Sequence, residues 1–430
     1  MRVLSDIVGL HAGLVATLTT AQHTGIFWDG VHLATGQTGD LLQLHPNTSY
    51  AGNLGNLRLI GAGCDLDPEV AKLKAVMETL ERYATAVVSD DEVIISSAEA
   101  LGMRAMNWAS FPGLYVRQEV ESSWKIYSFD PNQQMRWVKG FNISANREVY
   151  VPLIATRIHL AASEAEAFMP QSTAGVAAHF NFESAILSAL CEVIERDAIE
   201  TIWALRLPLR RLSVKDVRDP RLQMLIDRDE NGLINQAYYD ASNEFGLPII
   251  YAIRDTKLPI GNDVIVTCSC HHDPETAILK ARLDASGQQI MRVNDAQGFP
   301  YTRYNKESGH LARDHMAERP DLSFLRNAHT EAIYEPAVVQ GLAADTSGES
   351  EKLCYLLNTL SSHGHEVVVV DLTTSELRKF GVCVVKILIP TLLTVPPSEN
   401  QRFLQHPRLL QKLAAAGSKG RVNMAPQPFC

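Results

Sequence analysis

The sequence lacks the marks of a secreted, membrane-spanning or nucleic-acid-coating protein. Its seven cysteines (Cys64, Cys191, Cys268, Cys270, Cys354, Cys383 and Cys430) are odd in number and scattered. That argues against a disulfide framework and makes a reducing, cytoplasmic setting the expectation. Residues 1–20 contain Asp6 and no long apolar run, unlike a secretory signal. The strongest apolar stretch, Val382 to Thr394, is short and carries Lys386 and Pro390, so no membrane span is expected. There is no basic excess either. With 39 Lys+Arg against 49 Asp+Glu the formal charge is −10, the wrong sign for a general nucleic-acid binder.

The familiar phosphate motifs are missing too. No Gly-x-x-x-x-Gly-Lys-Ser/Thr loop occurs, and no Gly-x-Gly-x-x-Gly follows a strand. Cys268-Ser-Cys270-His271-His272-Asp273 has metal-ligand types, but i, i+2 thiols with no matching pair read as a strand end rather than a zinc site. Nothing identifies a Ser-His-Asp or Cys-His nucleophile. A chain of 430 residues, 46% hydrophobic and 20% charged, can nevertheless bury a sizeable core, as two or three domains or one large one.

What is present is one pattern, twice. Residues 77–84 read Met-Glu-Thr-Leu-Glu-Arg-Tyr-Ala and residues 191–198 read Cys-Glu-Val-Ile-Glu-Arg-Asp-Ala. Helical spacing puts Glu78, Glu81 and Arg82 on one face, and likewise Glu192, Glu195 and Arg196. Two carboxylates and a guanidinium can hold Mg²⁺ and a polyphosphate. One copy alone is more often a solvated face with local ion pairs; the repetition in similar apolar settings favours a site.

The surroundings repeat as well. Leu57 to Ile60 reads as a strand running into Gly61-Ala62-Gly63, a strand-to-helix turn whose N–H groups can cradle a phosphate or simply make a tight turn. Asp67-Pro68-Glu69 is a helix start, for a helix to about Ala86 in which Lys74, Glu78 and Arg82 form a charged column. Asp273-Pro274-Glu275 repeats that start, for a helix to about Arg292, and a related helix spans Glu183 to Leu205. Residues 1–20 read as an amphipathic opening and Ile234 to Phe245 as helical. Strands are expected at 92–96, 123–128, 134–138, 149–154, 247–253, 263–270, 366–372 and 382–389. The tail Asn423 to Cys430 either frays or docks somewhere definite.

These residues resemble the YcaO family. The likeness rests on Gly61-Ala62-Gly63 through Glu78-Thr-Leu-Glu-Arg82, and on Ser172-Thr-Ala-Gly175 through Glu192-Val-Ile-Glu-Arg196-Asp-Ala198. Asp273-Pro-Glu with Ala281-Arg-Leu-Asp284 resembles its third helix, and Asn423-Met-Ala-Pro426-Gln-Pro428-Phe429 the end of its azoline-forming members.

The resemblance implies an α/β (α+β) fold with duplicated strand–loop–helix units converging on a nucleotide. It implies an N-terminal segment over 1–55 and a catalytic domain over 56–430, with a Pro-containing tail at 421–430. The implied activity is ATP- and Mg²⁺-dependent cyclodehydration of Cys, Ser or Thr residues of a precursor peptide. Glu78, Glu81, Glu192 and Glu195 would hold Mg²⁺. Arg82 and Arg196, with Ser172 and Ser184, would contact the nucleotide, and Pro426, Pro428 and Cys430 would line the site. Implied partners are the precursor peptide, a leader-binding protein resembling ubiquitin-activating enzymes, an FMN-dependent azoline dehydrogenase and a second copy of the chain. Thioamidation of a peptide backbone, or a docking scaffold without catalysis, are the alternatives.

Overall fold

The structure is a computed structural model of the whole chain. It describes residues 7–8, 14–22, 30–38, 58–88, 90–107, 115–116, 128–215, 217–229, 234–258, 261–296, 321–326, 331–333, 348–395, 401–415, 422–425 and 427–429. Within them, a strand leading into a long helix occurs three times, each on its own sheet.

The first unit comprises β1 (Val15–Gln22), β2 (His32–Thr38), β3 (Ile60–Asp65) and α1 (Pro68–Ala86). Its strands pair antiparallel in the order β1-β2-β3. The chain therefore begins a strand at Val15 inside the expected amphipathic opening. Gly61 and Gly63 lie within β3 rather than on a turn, and their purpose is steric. A Cβ on Gly63 would stand 2.3 Å from the Ala71 carbonyl oxygen and 2.5 Å from the Ala75 nitrogen. A Cβ on Gly61 would stand 2.3 Å from the Thr79 nitrogen. Bare backbone lets α1 lie directly on the sheet. The phosphate-cradle reading fails for the same reason, because that face is filled by helix. The Asp67 side chain accepts the Glu69 N–H and caps α1.

The second unit contains β4 (Val93–Ser96), β5 (Met135–Asn142), β6 (Arg147–Pro152), β7 (Val176–His179) and α2 (Phe182–Leu205). The expected strand at 123–128 falls almost wholly outside the described residues. Asn181 caps α2 by accepting the N–H groups of Glu183 and Ser184.

The third unit contains β8 (Arg210–Ser213), α3 (Pro220–Asp229), β9 (Ile234–Asp240), β10 (Ile249–Leu258), β11 (Gly261–Cys270) and α4 (Pro274–Ala296). Its strands run β11-β10-β9-β8, extended by β12 (Glu331–Ile333). The helical reading of Ile234 to Phe245 is corrected: Ile234–Asp240 is β9, paired with both β8 and β10, and 241–245 is coil and turn. Pairing on both edges overrides a weak local preference. Cys268 and Cys270 are buried in β11, which supports their structural reading.

After α5 (Glu349–Ser362), β13 (Val368–Asp371) and β14 (Cys383–Leu388) return to the second sheet, whose order is β4-β5-β13-β14-β7 with β6 on β5. The Val367–Val370 run is buried throughout, as its unbroken β-branched sequence requires. Finally α6 (Pro407–Ala415) packs against α2. Among the described residues no helix is long and apolar enough to cross a membrane.

The units close on one another in a ring. Each helix packs on its own sheet, and α1 also packs on β7, α2 on β11 and α4 on β3. The register repeats to the residue. Glu78, Glu192 and Asp284 each stand eleven positions beyond their caps Asp67, Asn181 and Asp273. Glu81, Glu195 and Gly287 each stand fourteen beyond.

Candidate Mg-nucleotide site

Each motif carboxylate is aimed by a backbone N–H. Glu78 Oε2 accepts the Ala62 N–H of its own strand at 2.7 Å, and Glu192 Oε2 accepts that of Gly175 at 3.1 Å. The second glutamate of each motif reaches the next unit. Glu81 Oε1 accepts the Ala178 N–H in β7 at 2.8 Å, and Glu195 Oε2 accepts the Cys270 N–H in β11 at 2.9 Å. At the third helix Gly287 takes the equivalent place, and a Cβ there would lie 2.0 Å from Cys64 Sγ in β3. That close contact completes the ring without a third bridging carboxylate.

The guanidinium groups brace the carboxylates. Arg82 bonds Glu78 at 2.6 Å and the Ile60 carbonyl oxygen at 2.5 Å. Arg196 lies 3.4 Å from Glu192 and 3.7 Å from Glu195. Gly175, with φ +77°, needs its missing side chain, because a Cβ would meet the Ile387 carbonyl oxygen at 2.7 Å.

The two halves form one electrostatic system. Burial, together with the negative charges of Glu78 and Glu192, holds the Glu81 carboxyl well above the usual range. Burial pushes Glu195 up to about 7 against the pull of Arg196 and Lys280. Asp284 is likewise raised by burial, with Lys280 and Lys74 opposing. Burial would lower Lys280, but Glu195 and Asp284 outweigh it and raise its ammonium. Lys280 and Asp284 are solvent-exposed yet crowded by protein, so they line the walls of a cleft rather than an outer surface.

This donor set fits the family's implied cation. It is all hard carboxylate oxygen, and its protonation-prone members are what a divalent charge would relieve. Among the described residues no three ligand groups converge into a metal cage. Mg²⁺ rarely uses one; it binds through one or two carboxylates, water and substrate phosphate. A cavity of about 640 Å³ beside the start of α4, lined by Arg218, Arg221, His271, His272, Thr276 and Lys352 among others, contains none of the motif carboxylates. Its two arginines are already paired, Arg218 with Glu275 and Arg221 with Asp219, so the charged cleft is the better candidate.

Ser172 Oγ accepts the Ala174 N–H at 3.0 Å, and its carbonyl oxygen accepts from buried Lys386 at 2.5 Å. Burial lowers Lys386 to about 8. The Ser184 hydroxyl donates to Glu349 at the start of α5 and so is already engaged. Pro428 is buried, while Pro426 and Cys430 lie outside the described residues. The tail docks: Trp203 Nε1 donates to the Ala425 carbonyl oxygen at 2.8 Å, and the Phe429 ring meets Tyr251 edge-on, 5.1 Å between centroids. Lys74, Lys280 and Asp284 were not singled out from the sequence as site residues. Their signal was there, in equal offsets from the Asp-Pro-Glu starts.

The family model described as YcaO cyclodehydratase, ATP- and Mg²⁺-binding, matches residues 57–393. The chain belongs to the YcaO family. Its cofactors are accordingly ATP and Mg²⁺. An uncharacterized protein of Methanothermobacter thermautotrophicus is 24% identical over 330 residues, covering 75% of this chain and 78% of that one. An uncharacterized protein encoded in the tfuA 3′ region of Rhizobium leguminosarum bv. trifolii is 25% identical over 244 residues, covering 54% and 55%.

Solved structures share the YcaO fold at low identity. A heterocyclase in complex with substrate and cofactor superposes with a TM-score of 0.72 at 19% identity, over 100% of this chain and 57% of that one. The YcaO protein of Methanopyrus kandleri bound with AMPPCP and Mg²⁺ gives 0.60 at 18%, over 88% and 86%. The E. coli microcin synthetase McbBCD complex gives 0.56 at 15%, over 89% and 90%. The chain thus spans little more than half the length of the heterocyclase and of the Rhizobium protein.

Proposed function

We propose that this protein is the ATP-dependent cyclodehydratase of a peptide-modifying complex, converting Cys, Ser or Thr residues of a ribosomal precursor into thiazolines or oxazolines. The observation that carries the reading is the ring of backbone-anchored carboxylates on helices from successive units, facing one cleft. Glu78, Glu81, Glu192 and Glu195 hold Mg²⁺, and Arg82 and Arg196 meet the phosphates. When bound, Mg²⁺ neutralises phosphate charge during transfer. The chain's own part is to position and to neutralise, which suits phosphoryl transfer, where little covalent work falls to the protein.

In the substrate, the side-chain sulfur or oxygen attacks the preceding carbonyl carbon and loses its proton. The former carbonyl oxygen takes the γ-phosphoryl group of ATP, leaving ADP. The ring nitrogen then gives up its proton to solvent, the carbon–oxygen bond breaks as phosphate departs, and the ring C=N bond forms. Overall one water is lost from the peptide and appears in phosphate. The tail residues Pro426, Pro428 and Cys430 line the peptide side of the site, and Ser172 and Ser184 act from the nucleotide's periphery.

Residues 56–430 act as the catalytic domain, preceded by the segment 1–55. A separate leader-binding protein resembling ubiquitin-activating enzymes presents the precursor, an FMN-dependent dehydrogenase oxidises the azolines, and the chain works as a homodimer in the cytoplasm. The McbBCD neighbour, a complex, supports the presence of partners.

The test is mass spectrometry of the precursor peptide after incubation with the protein, its partner and Mg-ATP. Loss of one water per ring is expected, and Glu192→Gln should abolish it with the fold intact. Exchange of oxygen for sulfur in the presence of sulfide would identify thioamidation instead. An unchanged peptide alongside intact nucleotide binding would identify a scaffold.

A further inference from the structure

The second half of α2 fastens the end of the chain through charges that are entirely buried. Asp197 accepts the Leu393 N–H at 2.9 Å and two bonds from Arg408, each 2.6 Å. One turn on, Glu200 accepts from Arg402 at 3.2 Å and from Gln427. Arg402 also donates to the Asn423 carbonyl oxygen. Asn423 in turn donates its side-chain amide to Trp203 O at 3.1 Å and its N–H to Ala204 O at 2.7 Å. Glu200, Arg402 and Gln427 are each at most 2% exposed.

Such a cluster is a poor source of stability. Desolvating two charges offsets most of their attraction, and an apolar pair of similar volume is often as stable or more so. Burial pushes Glu200 up to about 7 even beside Arg402, so burial costs the carboxylate more than its partner returns. The cluster also leaves Arg402 Nε and Gln427 Oε1 without partners. What it does supply is direction. Held at Asn423, Ala425 and Gln427, the chain delivers Phe429 onto Tyr251. Tyr251 in β10 is the register partner of Cys268 in β11, two residues from Cys270, whose N–H Glu195 accepts.

We infer that Glu200, Arg402 and Gln427 are positioning residues: a buried latch that fixes residues 423–425 and 427–429 against β10, next to the strand whose Cys270 N–H holds Glu195. This goes beyond assigning the metal and phosphate residues, but its activity arm rests on the cyclodehydratase reading. The latch acts on turnover through the tail, not on nucleotide binding.

The test compares the full-length wild type with Glu200→Leu/Arg402→Met and Glu200→Gln/Arg402→Met. The second variant keeps an acceptor for Gln427. Thermal midpoint, Mg-ATP affinity, peptide turnover and release of C-terminal residues by a carboxypeptidase are measured on each. The latch predicts that the Leu/Met variant keeps its midpoint and Mg-ATP affinity, exposes its tail to the carboxypeptidase, and loses at least about tenfold in turnover. The Gln/Met variant should recover part of both. A tail that stays protected, or a freed tail with unchanged turnover, overturns the inference. So does turnover that falls only in step with the midpoint. If the Leu/Met variant does not fold, Gln427→Met carries the same readouts. If the wild type leaves the peptide unmodified, the functional reading fails, and the carboxypeptidase result alone decides the latch.

Discussion

Glu81 and Ala178 stand 97 positions apart in the chain, yet the carboxylate of the first accepts the backbone N–H of the second at 2.8 Å. This bond joins the first unit to the second, and it holds a motif glutamate where Glu78 and Glu192 both bear on it. Structure and chemistry can be separated at this residue. Glu81→Gln keeps a neutral acceptor for the N–H and should unfold in urea at nearly the wild-type midpoint. Glu81→Ala strands a part-buried donor and should cost about 2 kcal/mol. Both should lose nucleotide-dependent turnover, because neither carries the negative charge proposed to hold Mg²⁺.

The strand glycines make an opposite prediction. Gly63→Ala places a methyl 2.3 Å from the Ala71 carbonyl oxygen. It should destabilise the fold by about 3 kcal/mol, read by chemical unfolding. The nucleotide affinity of the molecules still folded should be little changed, since Gly63 faces helix and not phosphate.

Asp284 tests the third member of the ring. It shares the cleft with Lys74, Lys280 and Glu78. Being exposed, it contributes little to folding. Asp284→Ala should therefore leave the thermal midpoint within a few degrees and weaken Mg-nucleotide binding by about tenfold, measured by calorimetry.

Glu200 gives a pH signature. Its folded-state value is raised from 4.5 to about 7, so the folded protein holds this proton more tightly than the unfolded chain does. The resulting stability is fully present below pH 4.5 and is lost as pH rises through 7. Across that window the wild type should lose on the order of 3 kcal/mol relative to Glu200→Gln, which cannot titrate. Urea unfolding of both proteins at several pH values checks the sign, and parallel curves would refute it.

The helices were the legible part of the sequence. Caps, apolar spacing and length agree for α1, α2 and α4, and their boundaries come out within a few residues of those expected. Glu78 of the first motif and Glu192 of the second both bear on Glu81. Two kinds of error have physical causes. Gly61 and Gly63 read as a turn, plain or phosphate-binding, because glycine marks any close backbone approach, and only the packing tells whether a turn, a ligand or a helix makes it. Ile234 to Phe245 reads as helical because its mixed polar pattern carries no strong period; pairing of Ile234–Asp240 to β8 and β10 decides it. The Asp284–Lys280 wall was hidden because the third unit replaces the second glutamate with Gly287, so a search for the motif passes over it. Equal spacing from the caps carried that information, and the motif did not.

On the proposed reading the two motifs build a single Mg-nucleotide site rather than two charged surfaces. Titration calorimetry of the full-length protein with Mg²⁺ and a non-hydrolysable ATP analogue tests it most directly, on the wild type, Glu78→Gln and Glu192→Gln. One nucleotide per chain is expected, with about a hundredfold or greater loss of affinity from either substitution alone, since each removes charge from the same cluster. Two nucleotides per chain, or a substitution in one motif that leaves the affinity unchanged, would contradict it.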